Sequence, residues 1–308
     1  MDIPVQPDRA VADLRALADL TGGPGGARRL CWTPEWESAR GFLCDRLGEL
    51  PVTVDVDEAG NLWARLEGER PETVVIGSHV DSVPNGGWLD GALGVFAALE
   101  ALRTIAAAGT PPCTVSLIDF ADEEGARFGR SLFGSSWLSG SIRAEDVRDL
   151  RDAGGDRLGD VVAGHGVDLD RAPAAAGRLA DVRAYLELHI EQGPVLENAG
   201  LAVGAVLGTF GVERHRIVFS GQAAHSGSTP MPVRRDAFLA AARFALAARD
   251  GAVRHDGVAT VGAADCTPGV ATVIPGATTI LLDQRHLDAG ELAAMLAVAR
   301  ASADEAAA

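Results

Sequence analysis

The sequence predicts an α/β protein, with a doubly wound, mixed sheet over residues 1–210 and a smaller two-layer βαββα unit over 211–308. Three observations carry that expectation. Thr73–Ile76 and Thr114–Phe120 are short apolar runs of buried-strand length, each followed at once by polar residues. Between them lies an Ala/Leu-rich helix over 92–108 with Val95, Leu99, Leu102 and Ile105 on one face. Beyond Gly208 the rhythm changes to strand, helix, two strands and helix.

Taken in order, 9–20 and 34–50 read as amphipathic helices. Val11, Leu14 and Leu17 face inward on the first, and Ala39, Phe42, Leu43 and Leu47 on the second. Val52–Val56 and Asn61–Leu66 form a hairpin around Glu58, Ala59 and Gly60. Residues 145–183 turn charged and Gly/Ala-rich, the pattern of a surface excursion with weak helices, in which His165 has no special role. Tyr185–Ile190 resumes as a strand. In the second unit, Arg216–Phe219, Val258–Gly262 and Thr278–Asp283 are strands. Residues 237–248 form a helix with Phe238, Ala242, Ala245 and Leu246 on one side, and Asp288 and Glu291 have capping-box spacing ahead of a last helix. Such a unit ordinarily closes with one more strand, so the sequence predicts that both the unit and the larger sheet are incomplete at the C-terminal end.

Composition narrows the function. The chain has 308 residues, 47% of them hydrophobic, enough for a full core. Lys plus Arg number 27 against 43 Asp plus Glu, a net charge of −16, so nucleic acid is not an expected partner. The four cysteines are scattered without zinc or disulfide spacing, and neither a signal peptide nor a membrane-length apolar run is visible. A cytoplasmic protein without membrane attachment is expected.

The chemistry sits at the strand ends. His79, Asp81, Asp90, Glu123, Glu124 and His189 all follow strands of one sheet, at the rim where α/β sheets place ligands. Two imidazoles with several carboxylates suit Zn²⁺ or Mn²⁺, and a carboxylate shared between ions can hold a pair. Asp81 is spaced to orient His79. Of the neighbours Glu123 and Glu124, one is expected to be a ligand and the other a general base.

The segments GSHVDSVPNGGWLDGALG, DEEGARFGRSLFGS, ELHIEQGPVLE and GQAAHSGSTPMPVRRDA resemble the amidase, hydantoinase and carbamoylase branch of the dinuclear metallopeptidase-like amidohydrolases. That branch includes N-carbamoyl-L-amino-acid hydrolases, allantoate amidohydrolases and β-ureidopropionases. The resemblance implies a catalytic domain holding two divalent ions per subunit (Zn or Mn, with Co or Ni possible) and an inserted lid domain that forms a homodimer. It makes His79 and His189 terminal ligands, Asp90 the bridge, Glu124 a further ligand, Glu123 the base and Asp81 the support of His79. In the lid it assigns His225 to polarising the scissile carbonyl, Arg214 and Arg285 to a substrate carboxylate, and Gln192 to the pocket lining. Thr272 stands where it implies a substrate-binding asparagine. The implied activity is hydrolysis of a small ureido or amide compound, with an aminoacylase or peptidase as the alternative. The implied last metal-binding histidine has no counterpart after His286, so the sequence also predicts a truncated chain, either inactive and aggregation-prone alone or a binding partner of a longer relative.

Overall fold

The computed structural model describes residues 4–307, which divide into two compact units between Asn198 and Ala199. In the first, helix α1 (Pro7–Thr21) begins at a proline, and α2 (Pro34–Leu47) is capped by Thr33, whose hydroxyl accepts the Trp36 amide. Strands β1 (Thr53–Val56), β2 (Leu62–Leu66), β3 (Thr73–Ser78), β4 (Thr114–Asp119) and β5 (Val182–Leu186) form one sheet in the order β1-β2-β4-β3-β5. The β1–β2 and β2–β4 pairs are antiparallel, while β3 is parallel to both β4 and β5. The sheet is therefore mixed. Every residue of β4 is buried, as expected for a central strand flanked by the β3–α3–β4 crossover, where α3 spans Ala92–Ala107.

The core joins Leu14 and Leu17 of α1, Leu43 and Leu47 of α2, Val95, Leu99 and Leu102 of α3 and the inner faces of the strands. Val11 departs from the expected pattern, being 40% exposed on the solvent side of α1. The expected surface excursion is also corrected. After α4 (Phe133–Ser139), the short helices α5 (Ala144–Val147) and α6 (Leu158–Gly164) contribute Val147, Leu158 and Val162 to the main core, as do Val167, Leu169, Ala172 and Ala175. The charges that suggested a solvated stretch lie on its outer side, and the apolar positions are too widely spaced to read as a periodic face. His165 packs against Trp32 and Trp36, with Nδ1 3.0 Å from Glu37. The strand expected over Tyr185–Ile190 is β5 instead, so His189 lies past its end. The short helix α7 spans Val195–Ala199.

In the second unit, β6 (Gly211–Ser220), β7 (Val258–Thr267) and β8 (Ala277–His286) form an antiparallel sheet in the order β7-β8-β6, with helices α8 (Ala237–Arg254) and α9 (Ala289–Ala307). Phe219, Ile280 and Leu282 meet Ala241, Phe244, Ala248 and Ala299 in a separate core. The buried face of α8 differs from the expected one: Phe244 is buried, whereas Phe238 is 46% and Leu246 65% exposed. Apolar residues surround this Ala-rich helix, so periodicity did not single out a face. The capping box at α9 is half formed. Asp288 accepts the Gly290 and Glu291 amides, but the Glu291 carboxylate binds His255 Nδ1 at 2.7 Å. Among the described residues no helix is long and apolar enough to cross a membrane.

Candidate metal centre

The ends of β3 and β5 and the entry to α3 bring three side chains together. His79, Asp90 and His189 each offer a ligand atom within 4.8 Å of the others. Both imidazoles are oriented the same way. His79 Nδ1 lies 3.1 Å from the Asp81 carbonyl and 3.2 Å from its carboxylate, and His189 Nδ1 lies 2.7 Å from the Ile190 carbonyl. With Nδ1 facing those acceptors, each ring presents Nε2, and His189 Nε2 is 3.4 Å from Asp90 Oδ1. Two nitrogens and a carboxylate oxygen, with both rings held from behind, fit a divalent ion of the zinc or manganese type.

Asp81 organises more than His79. Its Oδ1 accepts the Glu123 amide at 3.2 Å and its Oδ2 the Glu124 amide at 3.1 Å, so one buried carboxylate clamps the acidic turn after β4 to the histidine after β3. Glu123 Oε2 lies 3.4 Å from His79 Nε2. The Glu124 carboxylate stands outside the three-residue group. Gln192 Nε2 donates to Asp90 Oδ2 at 2.5 Å, holding the oxygen turned away from His189.

The charges here are strongly coupled. Burial disfavours an imidazolium at His79, but the Asp81 hydrogen bond and the charges of Asp81, Glu123 and Glu124 overcome it and raise its pKa to about 10. Burial is also the main reason the Glu123 and Glu124 carboxyls are raised, with His79 opposing. Asp122 is pushed up to about 7 by burial and then by Asp81; Trp32 Nε1 donates to its Oδ2, while Oδ1 is buried without a partner. The His79 shift fixes a sign. In the metal-free chain its proton-linked stabilisation is fully present below pH 6.5 and is lost as pH rises through about 10. Metal uptake at pH 7.5 is therefore expected to expel about one proton per chain, and affinity to rise with pH. Calorimetry in buffers of different ionisation enthalpy measures this; a buffer-independent heat would count against His79 as a ligand.

Gly91 permits the close packing. Its φ is +62°, and a Cβ there would lie 2.4 Å from both His79 Cε1 and the His79 carbonyl oxygen. Gly91→Ala is expected to cost about 1–3 kcal/mol in backbone strain and to push His79 off its position. Thermal melts and chelator competition should record lower stability together with weaker metal binding.

Two further participants, Glu187 and Asp119, are not among the residues expected from sequence. Glu187 binds Ser78 Oγ and accepts the Tyr185 hydroxyl at 2.8 Å, immediately beside His79 and two residues before His189. Asp119, fully buried and paired with Arg40 at 2.7 Å, accepts the Val80 amide at 2.8 Å. The alternation of Glu187 with His189 was a usable hint for the first. Nothing in sequence marks Asp119 apart from its place at the end of β4.

The remaining expected residues lie in the second unit. His225 Nδ1 accepts the Gly227 and Ser228 amides, both at 3.1 Å, which places the proton of the neutral ring on Nε2. Thr272 accepts the Ser226 amide through its carbonyl, next to the Val273–His225 pairing. Arg214 and Arg285 converge on Asp283, each through Nε at 2.8 Å.

Residues 75–284 match the family model for peptidase family M20/M25/M40. The N-carbamoyl-L-amino acid amidohydrolase of Geobacillus stearothermophilus is 40% identical over 290 residues, covering 92% of this chain and 71% of that protein. The allantoate amidohydrolase of Escherichia coli K12 is 38% identical over 273 residues, 87% of this chain and 66% of that protein. Among solved structures, an amidase of the hydantoinase/carbamoylase family from Burkholderia multivorans superposes with a TM-score of 0.85 at 33% identity, over 100% of this chain and 75% of its own.

Proposed function

Because this chain belongs to peptidase family M20/M25/M40, alongside amidohydrolases, we propose that it is a metal-dependent hydrolase of linear C–N bonds in a small ureido compound, an N-carbamoyl-L-amino acid or allantoate. The observation that carries this reading is the convergence of His79, Asp90 and His189 with Glu123 at 3.4 Å from His79 Nε2.

Two divalent ions, zinc or manganese with cobalt or nickel as substitutes, would supply Lewis acidity toward the carbonyl and acidify water. His79, His189, Asp90 and Glu124 would hold them, Asp90 being shared. Asp81 keeps His79 and the Glu123–Glu124 turn in register through its three contacts. Glu123 acts as general base: its carboxylate takes a proton from the attacking water and returns it to the departing nitrogen. Burial raises this carboxyl, the direction that makes it a stronger base.

We assign substrate contacts to the other residues. The Nε2–H of His225 is suited to a developing oxyanion, and the guanidinium forks of Arg214 and Arg285 to a carboxylate. Both arginines would have to exchange Asp283 for the substrate. Gln192 and Thr272 complete the assignment, and the second unit serves as lid and as homodimer contact. Its edge strands β6 and β7 support that last role, since free edges pair readily with other chains.

The test is ammonia release by metal-stripped protein reloaded with Zn²⁺, Mn²⁺, Co²⁺ or Ni²⁺, assayed on N-carbamoyl-L-amino acids and on allantoate. Metal-dependent release from either class is the expected result. Cleavage of dipeptides or N-acyl amino acids with no turnover of ureido compounds would overturn the assignment.

A further inference from the structure

We propose that Arg29 is a positioning residue for the metal centre, its buried guanidinium tying the His79–Asp81 segment to the Trp88–Asp90 segment and so setting the spacing between His79 and Asp90. The inference rests on the reading of those residues as metal ligands. Arg29 is 0% exposed. Its Nε donates to the Val80 carbonyl at 2.6 Å and its Nη2 reaches the Trp88 carbonyl at 3.4 Å. The backbone is locked to the same loop, since the Arg29 amide donates to Ser82 Oγ and the Ser82 amide to the Arg29 carbonyl, both at 3.0 Å.

The residue between His79 and Asp81 is thus gripped from both sides by ions. Asp119 accepts the Val80 N–H while Arg29 donates to the Val80 C=O. Charge-assisted bonds of this kind are stronger than neutral ones and restrict the directions in which the flanking side chains leave the backbone. Trp88 stands two residues before Asp90, so the second arm of the same planar group restrains the other ligand.

A purely structural role explains the site poorly. Among the described residues Arg29 has no carboxylate in ion-pair contact, and its Nη1 is buried without a partner. Burial lowers its pKa, against the more distant charges of Asp81, Asp90 and Asp119. An apolar side chain would fill the space without leaving a buried cation unpaired. The guanidinium offers instead a rigid fork that spans two carbonyls, which a single ammonium cannot do.

The experiment compares the parent chain with Arg29→Met and Arg29→Lys by cobalt titration, following the visible absorption of the bound ion and its competition with a chelator, alongside melts of the metal-free proteins. Both variants are expected to bind cobalt about tenfold to a hundredfold more weakly, with an altered absorption band. Lys is not expected to rescue binding although it retains the charge. Should Arg29→Met fail to fold, the Arg29→Lys titration decides the matter. Parent-like affinity and absorption in a folded variant, whatever its melting temperature, overturns the inference alone. A parent chain that takes up no cobalt overturns the metal-centre reading, and this inference with it.

Discussion

Asp90→Ala is expected to release bound metal and abolish hydrolysis together. Asp90 is the only acid in the group of three, and its two oxygens face different ways, one 3.4 Å from His189 Nε2 and the other bound by Gln192. Removing it leaves two imidazoles with no anionic donor between them, so affinity should fall by more than the roughly hundredfold that loss of a mere supporting partner can cost. The fold should survive, because Asp90 lies in the loop ahead of α3 and outside the core. Metal analysis after desalting, with turnover measured at saturating metal, gives the answer. Retention of one tightly bound ion would make Asp90 an ordinary ligand of the other.

The strand-end acids and histidines were legible because two independent patterns coincide there. The runs Thr73–Ile76 and Thr114–Phe120 read as buried strands by length and β-branching, and the parallel β3–β4 pairing brings their ends side by side. Position at the end of a strand therefore translated directly into position at one rim. Arg29 was invisible for the opposite reason. It lies beyond a glycine-rich break, in a segment without periodicity, and its side-chain partners, the Val80 and Trp88 carbonyls, lie more than fifty residues along the chain. The buried face of α8 failed differently: alanine fits a core or a surface equally well, so tertiary contacts such as that of Phe244 with Phe219 decide which side turns inward. Residues 145–183 misled through composition, since charges outnumber the few apolar side chains that anchor the segment.

Glu123→Gln is expected to separate chemistry from metal binding. The backbone around Glu123 is held by Asp81 through the Glu123 and Glu124 amides, and neither bond involves the side chain being changed. Glutamine keeps the shape and an acceptor oxygen facing His79, so the loop and the ligand set should remain in place. What it loses is the capacity to take a proton at neutral pH, which for a general base costs about a hundredfold to ten-thousandfold in kcat. Metal content near that of the parent, with KM little changed and kcat reduced by that factor, is the expected outcome. Glu124→Gln serves as the counterpart and should weaken metal binding first. If Glu123→Gln loses its metal while Glu124→Gln keeps it, the two glutamates have exchanged roles. The 3.4 Å approach of Glu123 to His79 Nε2 would then be that of two ligands sharing an ion, and the base would be Glu124.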